Sequence, residues 1–534
     1  MSSMVLSPEE KLQEEQVEHV DPAQPHNNES NDNKATERKL LWKLDLLIIP
    51  LTAALYLAAF LDRGNAGNAK LQGLLAIFGS NADTKYAIVL AAFYISYTVG
   101  RKDMSLELPR FWSSLRLVAG LAALHDTSFQ VCNVPGNVLG TIISPDKALA
   151  LGALTWGVAS TAQAGCNNFA GVVVCRLFIG IGESAFGAAV PLYYGLWYRR
   201  DEIAVRISWY IGGGSLSGAF GGLIAYGISF IQSPMATWRI LFLIEGLPSV
   251  ALAGVIMLCL PSTPQKSRAV NEQERELVIR RLQDEGVSNS HHFDRSAFRP
   301  VLLNPTTYLN GVVYAGLNLS LASISGFLPT IIQSFGYTAA RAQLFTVPPY
   351  ACATVMTLFI SWSSDRTRQR GVFVIVSMLL SAVGFAILLA VTHDNAVRYF
   401  ATFLIVTGAF SCIPLMLSWA GNTAGSHTAA AIRLGVMNGM GQICSITASF
   451  IFPSNEGPAY HRGFGLNLAF NVVAALTALG LTIHYRLANK QRDRDEAMTP
   501  PPRQSVPVGE KGGEEVREEG VNLHDRTPGF RYYV

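Results

Sequence analysis

The chain has 534 residues, half of them hydrophobic and only 15% charged, with a formal net charge of +3 and a mean hydropathy of +0.27. Soluble domains carry about 25% charged residues, so composition argues against a soluble class, and the near-neutral charge gives no sign of a nucleic-acid partner. The seven cysteines (Cys132, Cys166, Cys175, Cys259, Cys352, Cys412, Cys444) show no paired spacing and read as small core hydrophobes rather than a disulfide or zinc framework.

Residues 1–38 are polar, lack the apolar core of a signal peptide, and read as a disordered cytoplasmic tail. The apolar run 40–61 ends in LDRGN and is long enough to span a bilayer, which takes about 20 residues. A second run starts near residue 86 and stops at 99. Residues 100–131 are charged and irregular; apolar character resumes at 132–143 and again at 148–164.

The stretch 169–191, FAGVVVCRLFIGIGESAFGAAVP, carries Arg176 and Glu183 in an otherwise apolar span. Seven residues apart, they share one helical stripe within about 20°, but the rise of about 10 Å keeps them from pairing with each other. Each must find a partner elsewhere. Such charges cost about 2.5–3.5 kcal/mol each on insertion scales and default to a functional reading. A glycine-rich run at 207–231 and another apolar run at 240–260 follow.

Residues 261–306 form a charged linker, in which 271–286 reads as an amphipathic surface helix capped by Asn271. Six further runs lie near 308–333, 343–362, 371–392, 397–419, 429–452 and 465–486, and a charged tail follows from 488. The expected architecture is an all-α integral membrane protein of twelve transmembrane helices in two six-helix bundles. The bundles occupy 39–260 and 307–487, the tail 488–534 is disordered, and helix 2 is interrupted by an anomalous insert at 100–131. Lys and Arg gather in 38–43, 199–206, the linker, 366–370 and 486–490, whereas 163–168 and 232–237 have none. Both termini are therefore expected in the cytoplasm.

Two sets of six helices around a charged linker resemble the major facilitator superfamily. LWKLDLLIIPLTAALYLAAFLDRGNAGNAK, WRILFLIEGLP, GFLPTIIQSFGYTAARAQLFTVPPYA and PLMLSWAGNTAGSHTAAA resemble its fungal anion:cation symporter branch, which includes allantoate and nicotinic acid permeases. The resemblance covers about residues 38–490, and the final GFRYYV is similar to nicotinate-permease tails. SSDRTRQRG at 363–371 resembles the loop motif between helices 8 and 9; its counterpart after helix 2, GTIISPDKA, has largely lost that motif.

The resemblance also bears on helix 2. Joining Val99 to Cys132 gives FYISYTVCNVPGN, in the branch's register and about 26 residues of span, enough to cross with tilt. The intervening piece holds Arg101, Lys102, Asp103, Glu107, Arg110 and Arg116. Even three such charges in mid-membrane cost roughly 8–10 kcal/mol. It begins at a Val-Gly pair whose codons can supply a GT donor, and it reads as a retained intron; a genuine insertion loop is the alternative.

Asp62 and Arg63 sit at the end of helix 1, and Arg176 and Glu183 inside helix 4. Arginine stays protonated and forms bidentate bonds to carboxylates, so two arginines suit an organic anion. Asp62 and Glu183 can hold protons. An anion that neutralises an arginine's field would let Glu183 recruit one, so that anion and proton travel together. Bacterial galactonate symporters and sialin-like anion transporters resemble this layout, which implies substrate binding by Arg63 and Arg176 and proton coupling by Asp62 and Glu183. Tyr56, Tyr94, Asn318, Trp419 and Asn438, with Gln442, are further candidates for the cavity lining. Glu245 reads as a structural contact of the cytoplasmic half, and His484 as interfacial.

No catalytic, metal-binding or phosphate-loop constellation appears, so neither an enzyme nor a cofactor is expected. The expected function is proton-coupled symport of a small organic anion by alternating access. The anion would be a nicotinate-, ureide- or dicarboxylate-like acid, and the protein a monomer in the plasma membrane. The alternatives are an exporter of a secondary metabolite and a nutrient sensor that binds without transport. The four charges favour the first, and tails of about 40 residues speak against a sensor. Sequencing of the mature transcript is expected to show reads that splice Val99 directly to Cys132. Transcripts that uniformly retain the segment, with full transport by the long form, would establish a genuine insertion.

Overall fold

The computed structural model describes residues 26–99, 144–267, 269–284, 298–424 and 427–498; the inferred insert at 100–131 lies outside them. The long helices before the linker are α1 (His26–Leu71), α2 (Ala82–Val99), α3 (Pro145–Ala162), α4 (Phe169–Gly195), α5 (Arg200–Ile228) and α6 (Thr237–Cys259). The linker region holds α7 (Glu272–Asp284) and α8 (Phe298–Leu303). Then follow α9 (Pro305–Gln333), the short α10 (Ala339–Leu344), α11 (Val347–Thr367), α12 (Arg370–Ala390), α13 (Asn395–Asn422), α14 (His427–Ala448) and α15 (His461–Met498). No strand occurs among the described residues. Among them, 7 helices are long and apolar enough on their own to cross a membrane, so the expected twelve spans go beyond what length and apolarity establish.

Local chemistry sets the helix starts. Asn168 accepts from the Gly171 amide ahead of α4, Asn304 from the Thr306 amide ahead of α9, and Asp394 from the Ala396 and Val397 amides ahead of α13. Each takes up amides that have no partner within the helix. Large apolar side chains such as Leu46, Met257, Val355, Phe359 and Leu476 point outward. Such a belt is unfavourable in water and natural in lipid.

α1 differs from its expected bounds at both ends. It runs unbroken through LDRGN to Leu71. The polar residues there look like a stop signal, but Asp62 and Asn65 are buried, with partners inside the protein. At its other end the helix begins at His26, taking in part of the expected tail. Glu37, in that part, pairs with Arg281 and Arg199. α15 likewise continues to Met498, past the expected end near 486.

The amphipathic linker helix is present as α7, and it is docked. Val278 is fully buried, Arg281 pairs with Glu202 as well as Glu37, and Lys43 reaches Glu274 at 2.7 Å. All these partners lie before the linker. At the opposite end of the molecule, polar contacts join the two halves. Tyr86 donates to the Gly326 carbonyl at 3.0 Å, Gln343 to the Asn68 carbonyl at 3.2 Å, and Lys70 to Ser454 at 3.4 Å.

Glycines let helices approach backbone to backbone. A Cβ on Gly182 would stand 2.8 Å from both the Gly152 carbonyl oxygen and the Trp156 nitrogen of α3. Gly182→Ala is therefore expected to force α3 and α4 apart, at about 1–3 kcal/mol. Gly254→Ala, with open space at the same atom, should be neutral. Thermal unfolding of the purified variants checks the contrast; equal melting of the two would contradict it.

Candidate substrate and proton site

The charges of α1 and α4 meet. Nε and Nη2 of Arg63 both close on Oε2 of Glu183, at 2.7 and 2.6 Å. The carboxylate is 1% exposed and the guanidinium side chain 19%, so the arginine is the accessible partner. Oε1 of Glu183 has no hydrogen bond among the described residues. The rings of Phe60, Phe93 and Tyr97 surround the guanidinium carbon, with centroids at 4.8, 5.2 and 4.8 Å, a favourable cation–π setting.

Asp62 points the other way along α1 and is buried. Ser160 of α3 donates to its Oδ1 at 2.5 Å, Ser249 of α6 to its Oδ2 at 3.2 Å, and Asn65 to Oδ1 at 3.3 Å. Arg176, also fully buried, donates from Nη1 to the backbone carbonyl of Asp62 at 3.2 Å. Its Nε and Nη2 have no partner among the described residues, and its guanidinium carbon lies 6.0 Å from the Phe242 ring.

All four charged candidates thus belong to one cluster on α1 and α4, closed by α3 and α6. Glu183 finds its counter-ion on another helix, as the seven-residue spacing requires. Arg176 meets a carbonyl instead of a carboxylate and is fully buried, whereas the Arg63 side chain keeps 19% of its surface exposed.

The remaining candidates divide. Tyr56 continues the aromatic face of α1, its ring 4.7 Å from Phe60 and 4.4 Å from Tyr210. Tyr94 packs on Phe93 at 5.1 Å. Asn318 on α9 and Asn438 on α14 turn their amides back to the carbonyls of Tyr314 and Leu434, one turn earlier; neither reaches the ion pair. Gln442 is buried on α14. Trp419 is brought elsewhere: its buried indole packs on Tyr485 and lies 3.1 Å from the Cβ position of Gly371, at the linker end of the second half. His484 is exposed, in the second half of α15.

Glu245 is a correction in place. It lies one turn before Ser249, at the level of Asp62, and the adjoining Gly246 packs on Thr161 near the end of α3. That is the half away from the linker, because α6 enters from the 229–236 side. Sequence reading missed Ser160, Ser249 and Asn65. Hydroxyls are common in membrane helices, and nothing in their spacing marks these. Tyr97 had a signal, since it follows Phe93 by four residues on the face that meets Arg63.

Between the halves lies a cavity of about 30 Å³, lined in part by Phe60, Asn68, Gly218, Pro329 and Tyr350. That is room for a water-sized group rather than an organic acid.

Buried, cross-paired charges inside a helical protein with an apolar exterior are the pattern of a multi-pass membrane protein. Residues 52–453 match the Major Facilitator Superfamily, and the chain belongs to it. It is 32% identical over 491 residues to the MFS transporter prlL of Fungal sp. (strain NRRL 50135), covering 88% of this chain and 91% of that one. It is 25% identical over 504 residues to the high-affinity nicotinic acid transporter of Saccharomyces cerevisiae (strain ATCC 204508 / S288c), covering 93% and 85%. Among solved structures, the D-xylose-proton symporter shares the fold with a TM-score of 0.60 at 14% identity, covering 82% of this chain and 97% of that one.

The ion pair makes a thermodynamic prediction. Removing one partner of a buried pair strands the other charge and costs about 3–5 kcal/mol. Arg63→Met is expected to lose that much, and Arg63→Met combined with Glu183→Gln to recover most of it. Denaturation of the purified variants in detergent decides; a double variant no more stable than the single one would show that the cost lies outside the pair.

Proposed function

We propose that the protein is a proton-coupled symporter of a small organic anion that works by alternating access. The observation that carries this reading is the Arg63–Glu183 pair, with its cation partly exposed and its carboxylate sealed. An incoming carboxylate can take the planar edge of Arg63 in bidentate fashion. Glu183 then stands buried without its counter-ion, a state that costs several kcal/mol. Taking up a proton removes that cost. Substrate binding and proton binding become one event, and release of the anion returns Glu183 to Arg63.

The rings of Phe60, Phe93, Tyr97 and Tyr56 provide flat apolar faces beside the cation, which suit an aromatic or otherwise planar acid. The likeness to a nicotinic acid transporter supports the same chemistry. Asp62 is the second proton carrier in this reading, while Arg176 holds the α1 backbone at Asp62 in this conformation and turns to the anion when the halves rearrange. We place the protein in the plasma membrane as a monomer, with twelve spans in two bundles at 39–260 and 307–487 and both termini in the cytoplasm. The gathering of Lys and Arg at the linker end supports that orientation.

The test is uptake of labelled nicotinate, ureide acids and dicarboxylates by cells expressing the protein, with and without an inward proton gradient. Uptake of one class is expected to rise as the outside is acidified. Glu183→Gln, which imitates the protonated acid and cannot cycle, should abolish uphill accumulation yet retain counterflow. Persistent uphill accumulation in that variant would remove Glu183 from the coupling role.

A further inference from the structure

Glu245 is a carboxyl group that the mechanism above does not use. It is 4% exposed; neither carboxylate oxygen closes a well-formed hydrogen bond among the described residues, and the polar side chain lying against it is Asn65 of α1, whose own amide oxygen is also left without a donor. The groups on the helices packed around it are few. From α1 comes Asp62, whose own carboxylate is occupied by Ser160, Ser249 and Asn65. From α3 come Ser160 and Thr161, neither titratable. From α4 comes Arg176, whose bond goes to the Asp62 carbonyl. Arg239, two turns away on α6 itself, is engaged by the Ala164 carbonyl at 2.9 Å and by Asn167 at 2.6 Å. Among the described residues no cation closes on Glu245.

An ionised carboxylate in such a place costs several kcal/mol, and a neutral carboxylic acid far less. A second carboxylate nearby adds repulsion that a low-dielectric site screens poorly. The link to Asp62 is short: Ser249, which donates to Asp62, is the next turn of the same helix face and also lies 3.5 Å from the Glu245 backbone carbonyl.

We propose that Glu245 is a proton-binding site, protonated in this conformation, which exchanges its proton with Asp62 during the cycle. In the exchange the Glu245 O–H bond breaks, an O–H bond forms on Asp62, and the negative charge moves from Asp62 to Glu245. The protonation stands on the geometry alone; its part in transport rests on the symport reading.

Infrared spectroscopy of the full-length protein in lipid nanodiscs tests the protonation without any substrate. At neutral pH the wild type is expected to show the carbonyl stretch of a buried carboxylic acid that is lost in Glu245→Gln and displaced in Glu245→Asp. The aspartate variant serves equally if the glutamine variant fails to reach the membrane. A spectrum unchanged by both substitutions, or a band removed by Asp62→Asn but not by Glu245→Gln, overturns the proposal. In proteoliposomes with nicotinate as probe, Glu245→Gln should lower uphill accumulation on the order of a hundredfold and leave counterflow near the wild-type level. Equal loss of both overturns the transport role. A wild type that accumulates no nicotinate under a proton gradient counts against symport of this acid, while the infrared band still decides the protonation of Glu245.

Discussion

A charge placed inside a membrane protein must be paired, neutralised or hydrated, and the Arg63–Glu183 pair is how this chain meets that constraint. Desolvating both groups is expensive, and their attraction repays it only with close geometry. The geometry here is close but lopsided, with two guanidinium nitrogens on one oxygen and the other oxygen unpartnered. Such a pair links α1 to α4 through side chains alone, since the backbone of α1 packs on α5, α6 and α9 instead, and it leaves an oxygen-rich ligand able to compete for the guanidinium. Much of the neighbourhood follows from it. α1 has to run helical through LDRGN to deliver Arg63, and α2 has to present Phe93 and Tyr97 on one face to cover it.

Contacts between the halves are of another kind. Tyr86 to Gly326 and Gln343 to Asn68 are single hydrogen bonds to backbone carbonyls, each worth about 1 kcal/mol net. The contacts of α7 are ionic, partly buried and confined to the first half. The strong interactions thus bind the linker helix to one bundle, and the exchangeable ones join the bundles at the far end. The halves also share apolar packing at that end, with the Tyr86 ring 5.9 Å from that of Phe327, so the hydrogen bonds between them are set in a common buried cluster.

How much of this was legible in the sequence depended on whether the signal was local. Apolar runs and their breaks placed most helices, since a helix in lipid satisfies its own backbone and length alone marks it. The spacing of Arg176 and Glu183 told that each needed an outside partner, but which partner depends on helix packing, which spacing does not encode. Glu183 met Arg63, whereas Arg176 met a carbonyl. LDRGN misled because polar residues end helices in water, while here their partners lie on neighbouring helices. Trp419 misled for the opposite reason: an aromatic on a family-like string carries no mark of which end of its helix faces the cavity. Glu245 was visible as a charge but not as an unpartnered one, a property that exists only once α1, α3, α4 and α6 are assembled.

The assembled cluster also carries an argument about stoichiometry. Three carboxyl groups, Asp62, Glu183 and Glu245, are buried with two guanidinium groups, Arg63 and Arg176. With every group ionised the set would hold one surplus negative charge, and with Glu245 protonated, as proposed, it is neutral. A monoanion entering this low-dielectric site restores the surplus, and one further proton cancels it. A dianion would require two, and Asp62 and Glu183 together could accept them. In the symport proposed above, neutrality of the buried set, rather than the identity of any single acid, would tie the number of protons carried to the charge of the substrate. On that proposal the third carboxyl group has a use: two would balance the two cations at rest but leave no resting proton to hand on.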